Sequence, residues 1–219
     1  MGKEIDLLSR YPKTKRNLKE RIQQKTESVR RVAREFGFEY FDGDRNHGYG
    51  GFFYDAKYWS GVVQDIITEY GLDSDSRVLD VGCAKGFFLF DLKNALPGIE
   101  ISGIDISSYA INSALPEIKS CLTVGSASNL PYPDNYFDFV ISVNTIHNLD
   151  LNDCKKALTE IERVSKGFSF VTVDAYRNEE EKRRMEAWNL TALTMMSDSE
   201  WKVFFKDAGY TGDYYWFIP

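Results

Sequence analysis

The stretch Arg77-Val-Leu-Asp-Val-Gly-Cys-Ala-Lys-Gly-Phe-Phe-Leu89 decides how the rest of this chain is read. Val78, Leu79 and Val81 form a short apolar run, the pattern of a strand buried on both faces of a parallel sheet. Glycines at 82 and 86 interrupt it before a second apolar segment begins at Phe87. The order predicted is therefore strand, loop, helix. Glycine lets the backbone turn tightly and approach a ligand, and the free N–H groups of the following helix give that approach a weakly positive end. Asp80 stands just before the turn, where its carboxylate can accept hydrogen bonds from loop amides or from a cationic group.

A dinucleotide site would show G-x-G-x-x-G here, with an acid about 20 residues on. This loop instead places an acid, Asp80, two residues ahead of Gly82-Cys83-Ala84-Lys85-Gly86. Two further stretches follow. Ile101-Ser-Gly-Ile-Asp105-Ile106 reads as an apolar strand whose terminal acid can accept both hydroxyls of a ribose. Gly125-Ser126-Ala127-Ser-Asn-Leu-Pro-Tyr-Pro-Asp134 then leads into Tyr136-Phe-Asp-Phe-Val-Ile-Ser-Val-Asn144. From residue 77 to 147 the chain resembles the class I S-adenosylmethionine (SAM) dependent methyltransferases. Ala84 replaces the family's middle glycine, and Ser126 replaces the Asp that meets the adenine amino group. The resemblance implies a cofactor site built from Asp80, Gly82, Cys83, Ala84 and Gly86, from Asp105 and Ile106, from Ser126 and Ala127, and from the backbone of Asn144. SAM is the implied cofactor, S-adenosylhomocysteine (SAH) its product, and no metal is expected.

The fold expected is a Rossmann-like three-layer α/β sandwich, a mostly parallel sheet of about six or seven strands with helices on both faces. Strands are expected at 77–81, 100–105, 120–124, 137–143 and 168–173, and helices at 58–70, 87–96, 108–115, 152–164, 179–196 and 199–208. Residues 213–218 would close the sheet. A full sheet of this family ends in an antiparallel hairpin, but only ten residues follow Gly209. Six strands, or a very short seventh, are therefore expected. Residues 1–60 are read as an N-terminal helix and lid, and residues 61–219 as the SAM-binding domain, together one compact unit.

With 43% hydrophobic residues the chain can bury a real core. No apolar run approaches the roughly 20 residues that cross a bilayer and no secretory signal is visible, so the expected location is cytoplasmic, without a membrane partner. Three cysteines and two histidines, far apart, suggest neither a disulfide framework nor a zinc site. The net charge is −6, yet residues 1–35 carry eleven Lys/Arg against five Asp/Glu. That basic arm is either a contact for an anionic partner or a solvated helix face on a helix spanning Thr14 to Phe36.

Between Phe36 and Trp59 lie ten aromatic residues, punctuated by Gly43, Gly48, Gly50 and Gly51 around His47 and Tyr49. So many aromatics must cover something. The tract is either a lid over cofactor and substrate, with Tyr49 against the ligand, or an extension packed on the core. Methyl transfer is an in-line displacement, so alignment and exclusion of water are the protein's main work, and a base is needed only for a protonated nucleophile. His147, after the strand ending at Val143, is a candidate base, as is His47 if the lid closes; alternatively His147 is a helix-start histidine bonded to a carbonyl. Asp174 and Arg177 are expected as a local pair or a clamp for a charged substrate. Met185, Trp188, Leu193, Met195 and Met196 are read as core or as substrate wall. The leading reading is methylation of a small-molecule acceptor on oxygen or nitrogen. The alternatives are a SAM-binding regulatory protein without turnover and a methyltransferase of RNA or protein. Overall acidity argues against nucleic acid, and oligomeric state is left open.

Overall fold

The computed structural model describes residues 2–12, 25–48 and 53–219. Its strands are β1 (Arg77–Val81), β2 (Glu100–Asp105), β3 (Leu122–Val124), β4 (Phe139–Val143), β5 (Ser169–Tyr176), β6 (Met196–Ser197) and β7 (Asp213–Phe217). The helices are α1 (Glu27–Ala33), α2 (Phe38–Phe41), α3 (Ser60–Tyr70), α4 (Phe87–Ala95), α5 (Ser108–Asn112), α6 (Pro116–Lys119), α7 (Leu151–Val164), α8 (Glu179–Trp188) and α9 (Asp198–Asp207). Strands β3-β2-β1-β4-β5 lie side by side with β7 against β5, and every one of these pairings is parallel. Among the described residues the seventh strand, β6, pairs only with Ala175 and Tyr176 at the end of β5.

Both faces of the central strands are buried, so alternate residues serve two cores. Val78, Phe139, Ile141 and Phe170 join Val62 and Ile66 of α3 and Leu89 and Leu92 of α4. Leu79, Val81, Val140, Val171 and Val173 join Leu158 and Ile161 of α7 and Trp201 and Phe205 of α9. The apolar run that marks β1 is thus shared between the two helical layers. Among the described residues no helix is long and apolar enough to cross a membrane.

In place of the antiparallel hairpin that the resemblance implies, the sheet closes with the single parallel strand β7. β7 arrives parallel to β5 after the crossover through α9, and its outer side meets the start of the chain. The Tyr214 N–H donates to the Lys3 carbonyl (3.1 Å) and the Ile5 N–H to the Tyr214 carbonyl (3.0 Å). Leu7 then enters the core beside α3. The first residues therefore belong to the body of the fold, where they cover part of an exposed strand edge.

Three helices differ from the expected spans by more than two residues. The segment from Ser108 divides, because α5 stops at Asn112 and Pro116 opens α6 at a position where its missing N–H costs nothing. The helix after β5 stops at Trp188 instead of Met196. There the Asn189 side chain accepts from the Ala192 N–H (2.8 Å) and donates to its carbonyl (2.9 Å), a local arrangement that competes with the helix. Of the span from Thr14 to Phe36, residues 14–24 lie outside the described residues. The remainder starts afresh at Thr26, an extended residue whose hydroxyl accepts from the Val29 N–H (3.3 Å), and ends at Ala33.

Phe205 joins the outer core together, touching Trp201, Tyr210 and Tyr214 and stacking at 5.8 Å on Trp216. Phe205→Ala is expected to lower unfolding stability by about 3–5 kcal/mol, read as a lower urea midpoint at unchanged slope.

Candidate active site

The strand order reverses between β1 and β4, and ligands of open parallel sheets bind outside the carboxyl ends of the strands at such a reversal. β1 delivers Gly82–Gly86 to this edge, β2 delivers Asp105–Ser107, β4 delivers Asn144–Asn148, and β5 ends in Asp174–Tyr176.

The glycine loop is tightly determined. Gly82 has φ +83°, and a Cβ there would lie 2.2 Å from the Thr145 side chain. Gly86, at φ +75°, opens α4 without a side-chain cap, so the first amides of that helix face the loop's open side. Between them Ala84 holds φ +50°, a left-handed conformation that costs an L-residue about 1–2 kcal/mol. Asp105 helps to hold it there. Its Oδ2 accepts the Ala84 N–H and its Oδ1 the Ser107 N–H, both at 2.8 Å. A carboxylate offers about four acceptor positions, so two remain for hydroxyl donors. Burial raises the Asp105 pKa, against the pull of these two amides. Ile106 beside it is 61% exposed, an apolar surface at the strand tip. These are features that fit a nucleoside: acceptors for a ribose, an exposed apolar neighbour and an uncapped helix start.

Asp80 lies on β1 opposite Gly103 of β2 and is buried. Burial, and secondarily the charge of Asp105, pushes its carboxyl up to about 8. Burial and the same two carboxylates push the Cys83 thiol up as well, so Cys83 is a neutral wall residue. Ser126 forms a small turn, accepting from the Ser128 N–H (3.2 Å) with the two hydroxyls 2.9 Å apart, and Ala127 packs partly on the core. Arg163 fastens the rest of that loop by donating to the carbonyls of Leu130 (3.0 Å) and Tyr132 (2.8 Å) and to Asp134 (2.7 Å).

Asn144 also stands in the left-handed region, at φ +52°. Its N–H is shared between the hydroxyl and carbonyl of Thr172, and its side-chain oxygen accepts from the Thr172 hydroxyl (2.8 Å). The carbonyl accepts from the Asn148 side chain (3.2 Å), leaving one lone pair as the backbone group open to a ligand.

His147 is brought to the expected edge but turned inward. Its Nδ1 accepts the Asp174 N–H (3.2 Å), its Nε2 lies 3.7 Å from Asp174 Oδ1, and its carbonyl accepts from Leu193 and Thr194. The ring is 4% exposed, and burial lowers its pKa although the Asp174 charge opposes this. Both nitrogens face Asp174, so the geometry gives no support to His147 as a base. Arg177 is not Asp174's partner: its guanidinium meets Glu4 at 3.3 Å. His47, on a turn from Arg45, has Nδ1 3.6 Å from Glu39 of its own segment. Tyr49, with the middle of the proposed lid, lies outside the described residues. Sequence reasoning passed over Lys85, Asp42, Tyr109 and Arg163. Lys85 sits inside the motif itself, the one signal that was available. Among the described residues no group of three His, Cys, Asp or Glu side chains is placed to hold a metal ion.

Residues 72–209 match a family described as a methyltransferase domain. A tRNA (carboxymethyluridine(34)-5-O)-methyltransferase of Arabidopsis thaliana is 33% identical over 132 residues, 59% of this chain and 31% of that protein. A demethylmenaquinone methyltransferase of Lactiplantibacillus plantarum is 36% identical over 112 residues, 47% of this chain and 46% of that protein. The chain thus spans less than half the length of either relative. A solved SAM-dependent methyltransferase from Aquifex aeolicus superposes with a TM-score of 0.50 at 21% identity over 89% of both chains, a likeness of fold.

A buried carboxyl with a folded pKa of about 8, against roughly 3.9 unfolded, binds its proton more tightly in the native state. Its stabilising effect is complete below about pH 4 and is lost as pH rises through about 8. Scanning fluorimetry of the free protein should therefore show a falling melting temperature across that range. Asp80→Asn should flatten the fall.

Proposed function

Because the chain belongs to the methyltransferase-domain family, we propose that it transfers a methyl group from SAM to a small-molecule acceptor, on oxygen or nitrogen. The observation that carries the cofactor half of this reading is Asp105 at the tip of β2. Its two oxygens tie the β1 and β2 loops together and keep acceptor positions for a ribose. In this reading Asp105 takes the ribose hydroxyls, Ile106 and the Ser126–Ala127 turn flank the adenine, and Gly82–Gly86 with the carbonyl of Asn144 receives the amino-acid end. The cofactor supplies an electrophilic methyl on a sulfonium; the protein supplies alignment and a dry wall.

The acceptor would sit beyond β4 and β5. Leu193 is 55% exposed there, and the Trp188 ring lies 5.6 Å from Phe217, an apolar border that supports an acceptor with apolar surface. With His147 committed to Asp174, the reading favours a nucleophile that needs no proton removed by that residue. The plant relative is named for tRNA and the bacterial one for demethylmenaquinone, so relatives alone do not choose the acceptor class. The charge of −12 carried by residues 36–219 supports a metabolite over a polyanion.

Calorimetry is expected to show binding of SAH and none of NAD. Asp105→Ala should weaken SAH binding by about 1.5–3 kcal/mol, the worth of hydrogen bonds to a charged group. With methyl-labelled SAM and a cell extract, label should enter the small-molecule fraction. Label in RNA would replace this reading with the macromolecular one, and SAH binding without any labelled product would point to a regulatory protein.

A further inference from the structure

Two loops carry the cofactor residues named above, Cys83–Gly86 after β1 and Ile106–Ser107 after β2, and one short segment of the N-terminal region touches both. At its start the Phe36 carbonyl accepts a hydrogen bond from the Ser107 hydroxyl. At its end the Asp42 carboxylate accepts from the Lys85 ammonium at 2.6 and 2.7 Å, one bond to each oxygen. The Tyr109 hydroxyl adds a third bond to Asp42 at 2.6 Å, and the Tyr109 ring also lies against Phe38 and Phe41. This ion pair is secluded, with the Lys85 side chain 7% and the Asp42 side chain 19% exposed. Burial pushes the Asp42 carboxyl up, yet the bonds from Lys85 and Tyr109 outweigh it and hold the group below the usual range.

The positions of these contacts are specific. Lys85 directly follows Ala84, the residue held in a left-handed conformation, and Ser107 is the residue whose N–H binds Asp105. Each loop is therefore held twice, once by Asp105 from within the site and once by the 36–42 segment from outside. Strained backbone persists only where its surroundings over-determine it. Removing the carboxylate takes two short charge-assisted bonds from the Lys85 ammonium, and the loop that carries Lys85 loses that tether to the 36–42 segment.

We propose that residues 36–42 form a clasp that sets the spacing of the two cofactor loops, with Asp42 as its positioning residue acting through Lys85. The proposal rests on the cofactor reading above. Asp42 need touch no ligand. Its part is to raise the fraction of molecules whose loops are already in the binding geometry, and apparent affinity falls in proportion to that fraction.

The test uses the full chain, with SAH affinity by calorimetry and amide hydrogen exchange in the absence of ligand. Asp42→Asn should weaken SAH binding about tenfold and Tyr109→Phe about threefold, the loss expected if the competent fraction drops by those factors. Both should speed exchange at residues 83–86 and 106–107 while leaving α7 unchanged, and Asp42→Glu should recover part of the affinity. A merely structural contact would lower the melting temperature without changing SAH affinity in the folded protein. Folded Asp42→Asn with unchanged affinity and unchanged loop exchange overturns the proposal. If Asp42→Asn does not fold, Tyr109→Phe decides by the same two readouts. If the natural chain itself fails to bind SAH, the cofactor reading falls, and loop exchange in the variants alone decides the clasp.

Discussion

The site depends on one carboxylate. Asp105 stands at the end of β2 and binds an amide from each of two loops, Ala84 from the β1 side and Ser107 from its own. These bonds do two jobs at once. They stabilise an alanine in a conformation that glycine adopts freely, and they fix the carboxylate itself, since a group held by two amides has little freedom left to lose when a ligand arrives. The neighbouring Asp80 carboxyl is held up at about 8, first by its burial in β1 and second by the charge of Asp105 on the next strand.

The sheet around this point is economical. Parallel pairing throughout β3-β2-β1-β4-β5-β7 needs a crossover for every strand, and the chain spends its length on those crossovers. The outer edge of β7 is met by Lys3–Ile5, so the chain start does part of what a closing strand does in a longer sheet. The N-terminal region thus reaches the body at two separate places, the β7 edge through residues 3–7 and the loops after β1 and β2 through residues 36–42. An element that reads as an appendage is bound both to the sheet's β7 edge and to the loops that follow its central strands.

What was legible in the sequence follows from how local each signal is. β1 and β2 match their expected bounds, because a run such as Val78-Leu79-Asp80-Val81 between a charged start and a glycine has one reading in a sheet buried on both faces. Asp105 was legible for the same reason, as the acid closing an apolar run. The helix after β5 was overextended because Met185 and Trp188 continue a helical spacing into Met195, while Asn189 ends the helix through its own side chain. His147 could be placed at the right edge but not oriented. Its ring direction follows from the pairing of β4 with β5, which brings Asp174 against it, and no residue near 147 encodes that. The Asp42–Lys85 pair joins residues 43 apart through the packing of α2 beside Tyr109, a contact that exists only once the fold is formed.

The central claim is that a nucleoside cofactor seats at the loops that Asp105 ties together. The most direct measurement is a 1H–15N NMR titration with SAH, following the amides of Ala84, Ile106 and Ser107 against those of α7 and β7. The account predicts saturable shifts at Ala84, Ile106 and Ser107, with α7 and β7 largely still. Saturable shifts that leave those three amides untouched and gather elsewhere on the fold would contradict it.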